Sequence, residues 1–179
     1  MLVEAAVAFP VLILIILATI EVGFYFSSQS TTTTASRDGA RYATAFYAVK
    51  ADKLAVGDEI KGEVERDLRA LSGQGTPVQM WIYRATASGD PTGGLSCTAN
   101  CLRYTWNPGT GVFDYQPATS HPWTTVDACI TAGSPGLDEV GVMVEVRHQL
   151  LSGAIGSGQR TVRERTVLRL EPLPTSQCT

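Results

Sequence analysis

Apolar residues crowd the first 26 positions of this chain and thin out abruptly after them. From Ala5 to Ile20 no charged residue appears, and only Pro10 and Thr19 break the apolar run. Sixteen helical residues would span roughly 24 Å, short of a ~30 Å hydrocarbon core. Extension through Val22–Phe26 makes the run long enough, but takes in Glu21. The composition then changes while the period persists. Past the polar tract SSQSTTTT, the residues Ala35, Gly39, Ala43, Phe46 and Tyr47 recur at three- and four-residue intervals. One helix over about 1–49 is predicted, apolar over 5–26 and amphipathic beyond. Ser27 to Thr34 is its weak zone, read as a bend, a flexible stretch or a polar juxtamembrane stalk. Hydroxyl and β-branched residues are mediocre helix formers and bond back to the backbone.

The remainder, 50–179, reads as a globular head. Ile60, Val64, Leu68 and Leu71 share one face of a second helix. Asp58, Glu59 and Glu63 lie in its first half and Arg66 and Arg69 near its end, matching the helix dipole. SGQGTP closes it. The stretch VQMWIYRA alternates as a strand, and CLRYTW turns through NPGTG into VFDYQ. In EVGVMVEVRHQLL, the residues Val140, Val142, Val144, Val146, His148 and Leu150 face one side. A Gly-rich turn, SGAIGSGQ, leads to a last strand over Arg160 to Leu170. The fold class expected is α+β: a long apolar helix, one packed helix and an antiparallel sheet of about four or five strands.

Charge adds little to this picture. The formal net charge is −3, and no block of like charges points to a nucleic-acid partner or a charged tail. The cysteines change it more. Cys97, Cys101, Cys129 and Cys178 all follow the apolar segment, and an even count there fits disulfides in an oxidising compartment. Three complete pairings are open. Loop-forming residues dominate about 87–136, so at least one bridge is expected to pin that region, with Cys178 clamping the tail. His121 and His148 stand apart, so no metal site is expected, and no cofactor either.

Catalytic signatures are missing. There is no nucleophile elbow, no phosphate-binding loop and no HExxH, so an enzyme is not expected. GAIGSG lies between two strands, where a hairpin turn accounts for it. His148 alternates with valines as a packed residue does, and Asp138 and Glu139 would point to opposite faces of a strand. Arg160, Arg163, Arg165 and Arg169 suggest either an anion patch or a solvated face with cross-strand partners such as Glu145. Tyr104, Trp106, Tyr115 and Trp123 suggest either buried packing or a receptor or glycan surface.

Glu4 is the residue that demands a partner. A carboxylate in hydrocarbon costs on the order of 3 kcal/mol, and the dipole of a first helical turn offsets only about 0.3–1 kcal/mol of that. No cationic side chain lies near it in sequence; the first basic residue is Arg37. An α-amino group, its own or a neighbouring copy's, is the available cation. No Lys or Arg precedes the apolar run, so a removed signal peptide is not indicated. A leader cut away upstream is expected, with Met1 either the residue after cleavage or an internal start.

These residues resemble type IV pilin-like subunits, and more narrowly the TadE-like family of tight-adherence (Tad) pilus systems. The resemblance rests on Val3-Glu4, Pro10, Glu21-Val22-Gly23 and Arg37-Asp38-Gly39-Ala40-Arg41, with a weaker echo in ERTVLRLEP. It implies a structural subunit, processed by a prepilin peptidase and held in the cytoplasmic membrane as precursor. Assembly machinery would then extract it into an extracellular filament of its own copies or other pilins. Met1, Glu4, Pro10 and Glu21 are the candidate assembly residues, Glu4 pairing with a neighbour's N-terminal amine. The alternatives are a minor pilin that primes or tips another protein's filament, and a surface-anchored binding domain that never polymerises.

Overall fold

Helix α1 (Leu2–Phe46) is unbroken across both halves of the predicted segment. The computed structural model describes residues 2–71, 73, 75–130, 136–150 and 158–178, with side chains from residue 7 onward. The tract expected to bend is helical throughout. Its hydroxyls bond back to the helix: Thr32 Oγ1 donates to the Ser28 carbonyl at 2.7 Å, and Thr33 and Thr34 do the same to Gln29 and Ser30. Ser28, Thr32 and Ser36 are buried against the head, so tertiary packing overrides their modest propensity. The solvated stalk read from this tract is corrected accordingly.

Asp52 opens helix α2 (Lys53–Leu68), its carboxylate accepting from the Leu54 and Ala55 amides at 3.0 and 3.1 Å. Val56, Ile60, Val64 and Leu68 form its buried stripe, and Leu71 extends it through a short 3-10 turn. The strands are β1 (Gly75–Arg84), β2 (Cys101–Asn107), β3 (Val112–Tyr115), β4 (Glu139–Gln149) and β5 (Gln159–Arg169). They form one antiparallel sheet in the order β3-β2-β1-β4-β5. The expectation of an α+β fold with two helices and four or five antiparallel strands is met.

Strand β1 starts before the predicted Val78 and takes in Pro77. A proline cannot donate to a ladder, yet here it lies where β1 is flanked by β4 alone, at a bulge between Pro77 and Gln79. The NPGTG turn forms as read, with Gly111 at φ +70° and its amide bonded to the Asn107 carbonyl at 2.8 Å. The Gly-rich turn after β4 falls largely on 151–157, outside the described residues.

Two helices cover one face of the sheet. Val140, Val142, Val144 and Val146 of β4 join Met80, Ile82, Leu102 and Tyr104 under the α2 stripe, α1's Ala35, Ala40 and Ala43, and Tyr47 just past the end of α1. The opposite face carries a smaller cluster, Trp81, Tyr83 and Met143, beneath the loop closed by Cys97–Cys101. Cys129–Cys178 fastens the tail, which also bonds through Leu173 N to the Ala128 carbonyl and through Glu171 N to the Thr44 carbonyl of α1. Trp123 stacks on Tyr47, with centroids 5.0 Å apart.

Loop closure separates the two bridges energetically. Cys129–Cys178 closes 49 residues of sequence and Cys97–Cys101 only 4, which the chain-entropy estimate converts to about 4 against about 2 kcal/mol. Denaturant titration of the detergent-solubilised chain is expected to show the larger loss for Cys129→Ser/Cys178→Ser. Equal losses would mean that the tail is held by its other contacts.

Close approach of α1 supplies a second expectation. A Cβ at Gly39 would lie 2.7 Å from Val64 Cγ2 and 3.3 Å from Val142 Cγ1, both on side chains stiff at χ1. At Gly62, on α2, a Cβ meets nothing within 4 Å. Gly62→Ala should therefore stabilise by about 0.5–1 kcal/mol. Gly39→Ala should destabilise by about 1 kcal/mol net, because overpacking costs more than the helix propensity returns. The same titrations compare the two.

Candidate functional site

The first half of α1 stands away from the head. Val7, Phe9, Leu14, Ile15 and Phe26 are each more than half exposed. A window of this helix has mean hydropathy 2.5 with only 6% of it buried, so it is long and apolar enough to cross a membrane. Pro10 lies within it, exposed, and removes the helical bond to the carbonyl of residue 6. Thr19 satisfies its hydroxyl by donating to the Ile15 carbonyl at 2.8 Å.

Where the helix meets the head, its buried face turns polar. Glu21 is 2% exposed and lines a groove of about 310 Å³ with Val22, Tyr25, Leu150 and Arg160. Further along the helix, Ser28 Oγ and His148 Nδ1 share a hydrogen bond at 3.0 Å, and the His148 ring meets Tyr25 edge to face at 5.7 Å. Gln29 donates to Glu164 at 3.3 Å, and Ser36 and Thr166 share a bond at 2.9 Å. Hydroxyls and an imidazole therefore join α1 to β4 and β5 before the apolar core begins. His148 is packed, as expected, at 1% exposure.

The four candidate assembly residues are dispersed. Met1 lies outside the described residues, and Glu4 is described only as backbone in the first turn of α1. Pro10 belongs to the exposed apolar surface, whereas Glu21 is turned into the head.

The other candidates resolve into packing. Tyr104 and Trp123 are each 1% exposed and belong to the core, with Trp106 and Tyr115 against it. Arg163 chelates Glu145 through Nε and Nη2 at 3.0 and 2.7 Å. Arg165 pairs with Asp90, whose carboxyl this bond holds below its ordinary value, and Arg169 reaches Glu139 at 3.5 Å. Arg160 shares its rung with His148 and points to the helix side, so the four arginines do not form one patch. Asp138 instead binds Arg84 at 2.5 Å and accepts from the Asp127 amide. Cys97 is bonded to Cys101, and among the described residues no three His, Cys, Asp or Glu cluster as metal ligands.

Asp67 is the residue that the sequence reading passed over. It falls on the α2 stripe, seven residues after Ile60, among Val64, Leu68 and Leu71. That placement was the available signal. Its carboxylate faces a groove of about 320 Å³ between the helices, lined by Ser30, Thr31, Thr34, Arg66 and Ala70. Oδ1 has Arg66 Nε at 3.9 Å, while Oδ2 is buried with no hydrogen-bond partner. Burial, reinforced by the neighbouring Asp38 carboxylate, raises its pKa above the ordinary 3.8.

An α+β head carried on a helix with an exposed, membrane-length apolar half is the class that fold and surface define. Residues 1–41 match the family described as TadE-like protein, the stretch that carries the resemblance seen in the sequence. No curated protein and no solved structure matches the chain. The match over that stretch and the apolar helix fit a Tad pilus-associated protein.

Asp67 yields a pH prediction. A raised native pKa means that the folded chain binds this proton more tightly than the unfolded chain, so ionised Asp67 costs stability above both values. Asp67→Asn should stabilise the folded chain at pH 7, by at most about 1 kcal/mol for a partly exposed group. The gain should fade as pH falls through the raised native pKa toward 3.8. Thermal melts of both chains across pH 3–8 would show it; a gain independent of pH would point to packing.

Proposed function

We propose that this chain is a pilin subunit of the Tad type. It is held in the cytoplasmic membrane by α1 before assembly and packs through the same helix into an extracellular filament. The observation that carries this reading is the single helix: one half presents an uncovered apolar surface, the other is locked into a disulfide-bonded head, and the family match spans both. Lipid covers the exposed half first, and α1 helices of neighbouring copies cover it afterwards. A prepilin peptidase and the pilus assembly machinery are the partners this route requires.

Glu4 sets the register in this account. Its carboxylate meets the N-terminal amine of an adjacent copy, so two charges leave hydrocarbon together. A buried pair of this kind fixes alignment more than it adds stability. Pro10, exposed on α1, belongs to the packing surface. Glu21 marks the level at which helix gives way to head.

Electron microscopy and mass spectrometry of material sheared from the cell surface test the proposal. Filaments in which this chain dominates are expected, and the intact mass places the mature N-terminus. Glu4→Ala should leave the precursor in the membrane at wild-type level and yield no filaments. Normal polymerisation of that variant would remove Glu4 from the role. Filaments of another protein with traces of this chain would mark a minor pilin. Recovery from membranes alone would favour an anchored binding domain.

A further inference from the structure

Two flanks of one helical ridge carry opposite charges, one without an ion pair and one only partly paired. On one flank Asp67 lines a groove, and one of its two carboxylate oxygens, Oδ2, is buried with no hydrogen-bond partner among the described residues. Arg66, its nearest cation, stands at ion-pair distance from Oδ1 only, and its own guanidinium is engaged by Glu63. The hydroxyl of Thr34 on the groove wall already donates to the Ser30 carbonyl. Among the described residues no donor bonds Oδ2.

On the other flank, a shallow groove of about 300 Å³ runs along α1 past Phe26, Gln29, Thr33 and Arg37. Ser30 and Thr34 line both grooves, so they form the ridge between them. Arg37 is exposed and, among the described residues, has no ion pair or hydrogen bond. Most other cations are committed, as Arg41 is to Asp38 and Arg163 to Glu145. Arg37 on α1 and Asp67 on α2 thus line grooves on the two sides of that ridge, at similar height along α1.

We propose that Arg37 of one copy enters the Asp67 groove of the next. This inference rests on the filament reading and names a head-level contact within it. The two patches differ, so the contact is heterologous: each copy offers one flank to each neighbour, and the relation repeats without closing on a pair. Similar height means that side-by-side copies need little axial offset to bring the groups together. Guanidinium suits the groove because it offers several N–H donors in a planar fork to a carboxylate. A like-charged neighbour is rejected at the same place.

Charge reversal tests it in cells that express the full chain. Filament yield is read by electron microscopy and sheared mass. Arg37→Glu and Asp67→Lys are each expected to lower yield by about tenfold or more. Co-expression of the two single variants is expected to restore it. In alternating copies, the glutamate introduced by the first substitution meets the lysine introduced by the second, and the native Arg37 meets the native Asp67. Rescue in the mixture also shows that both variants fold. Singles that assemble normally would overturn the contact and leave the filament reading intact. Defective singles with no rescue in the mixture would overturn it too, as would wild-type cells without filaments, which also sink the proposed function. As a check that does not depend on tolerated charge, the R37C/D67C chain should give a ladder of disulfide-linked oligomers in sheared filaments. Only intrachain linkage would count against the contact.

Discussion

Everything in this chain depends on how closely α1 lies against the head. Its buried stripe is built from Ser28, Thr32, Ala35, Ser36, Gly39, Ala40 and Ala43, side chains too small to hold another element at a distance. At Gly39 the helix touches Val64 of α2 and Val142 of β4 together, so one residue locks helix, helix and sheet. That lock lets a single 45-residue helix serve two surroundings. The upper part completes a core of β-branched and aromatic residues, and the lower part emerges uncovered. Full burial of a Leu, Ile or Phe side chain is worth about 1.5–3 kcal/mol, and those below Glu21 are only partly covered by this chain. A surface like that demands a cover.

The polar seam at Glu21, Tyr25, Ser28 and His148 marks the change from one surrounding to the other. Apolar packing would continue the greasy surface into the head without any marker of depth. Hydroxyls and an imidazole instead tie α1 to β4 and β5 through directional bonds, fixing the helix's rotation as well as its position. Rotation matters because it decides which apolar side chains point outward. The head thereby determines which stripe of α1 faces outward.

Much of this was legible in the sequence. Ile60, Val64 and Leu68 announced α2, alternating valines announced β4, and NPGTG announced the β2–β3 turn, because each is a local period or turn chemistry. What escaped was set by tertiary contact. Ser27–Thr34 looks like a poor helix until β4 and β5 supply the surface that buries it. Pro77 looks like a strand boundary until a bulge beside β4 alone accommodates it. Cysteine spacing left three pairings open, and only the fold brings Cys178 to Cys129. Asp67 was hidden for the opposite reason: the apolar stripe around it was read correctly, and the one charged residue on it was passed over.

Lipid and a packed bundle of helices are almost equally apolar. Moving α1 from one to the other therefore gains van der Waals contact but little hydrophobic driving force. In the proposed filament, selectivity must come from groups that lipid cannot satisfy. A carboxylate in the first turn is such a group at one end of the helix. An exposed arginine and an unmet carboxylate oxygen are such groups at the head. Asp67 carries one carboxylate oxygen with no hydrogen-bond partner among the described residues, and a cation from a neighbouring copy would complement its charge. Placing the unmet charges on the rims and the apolar residues along the shaft gives assembly a register. It also leaves the precursor's shaft fully compatible with a bilayer.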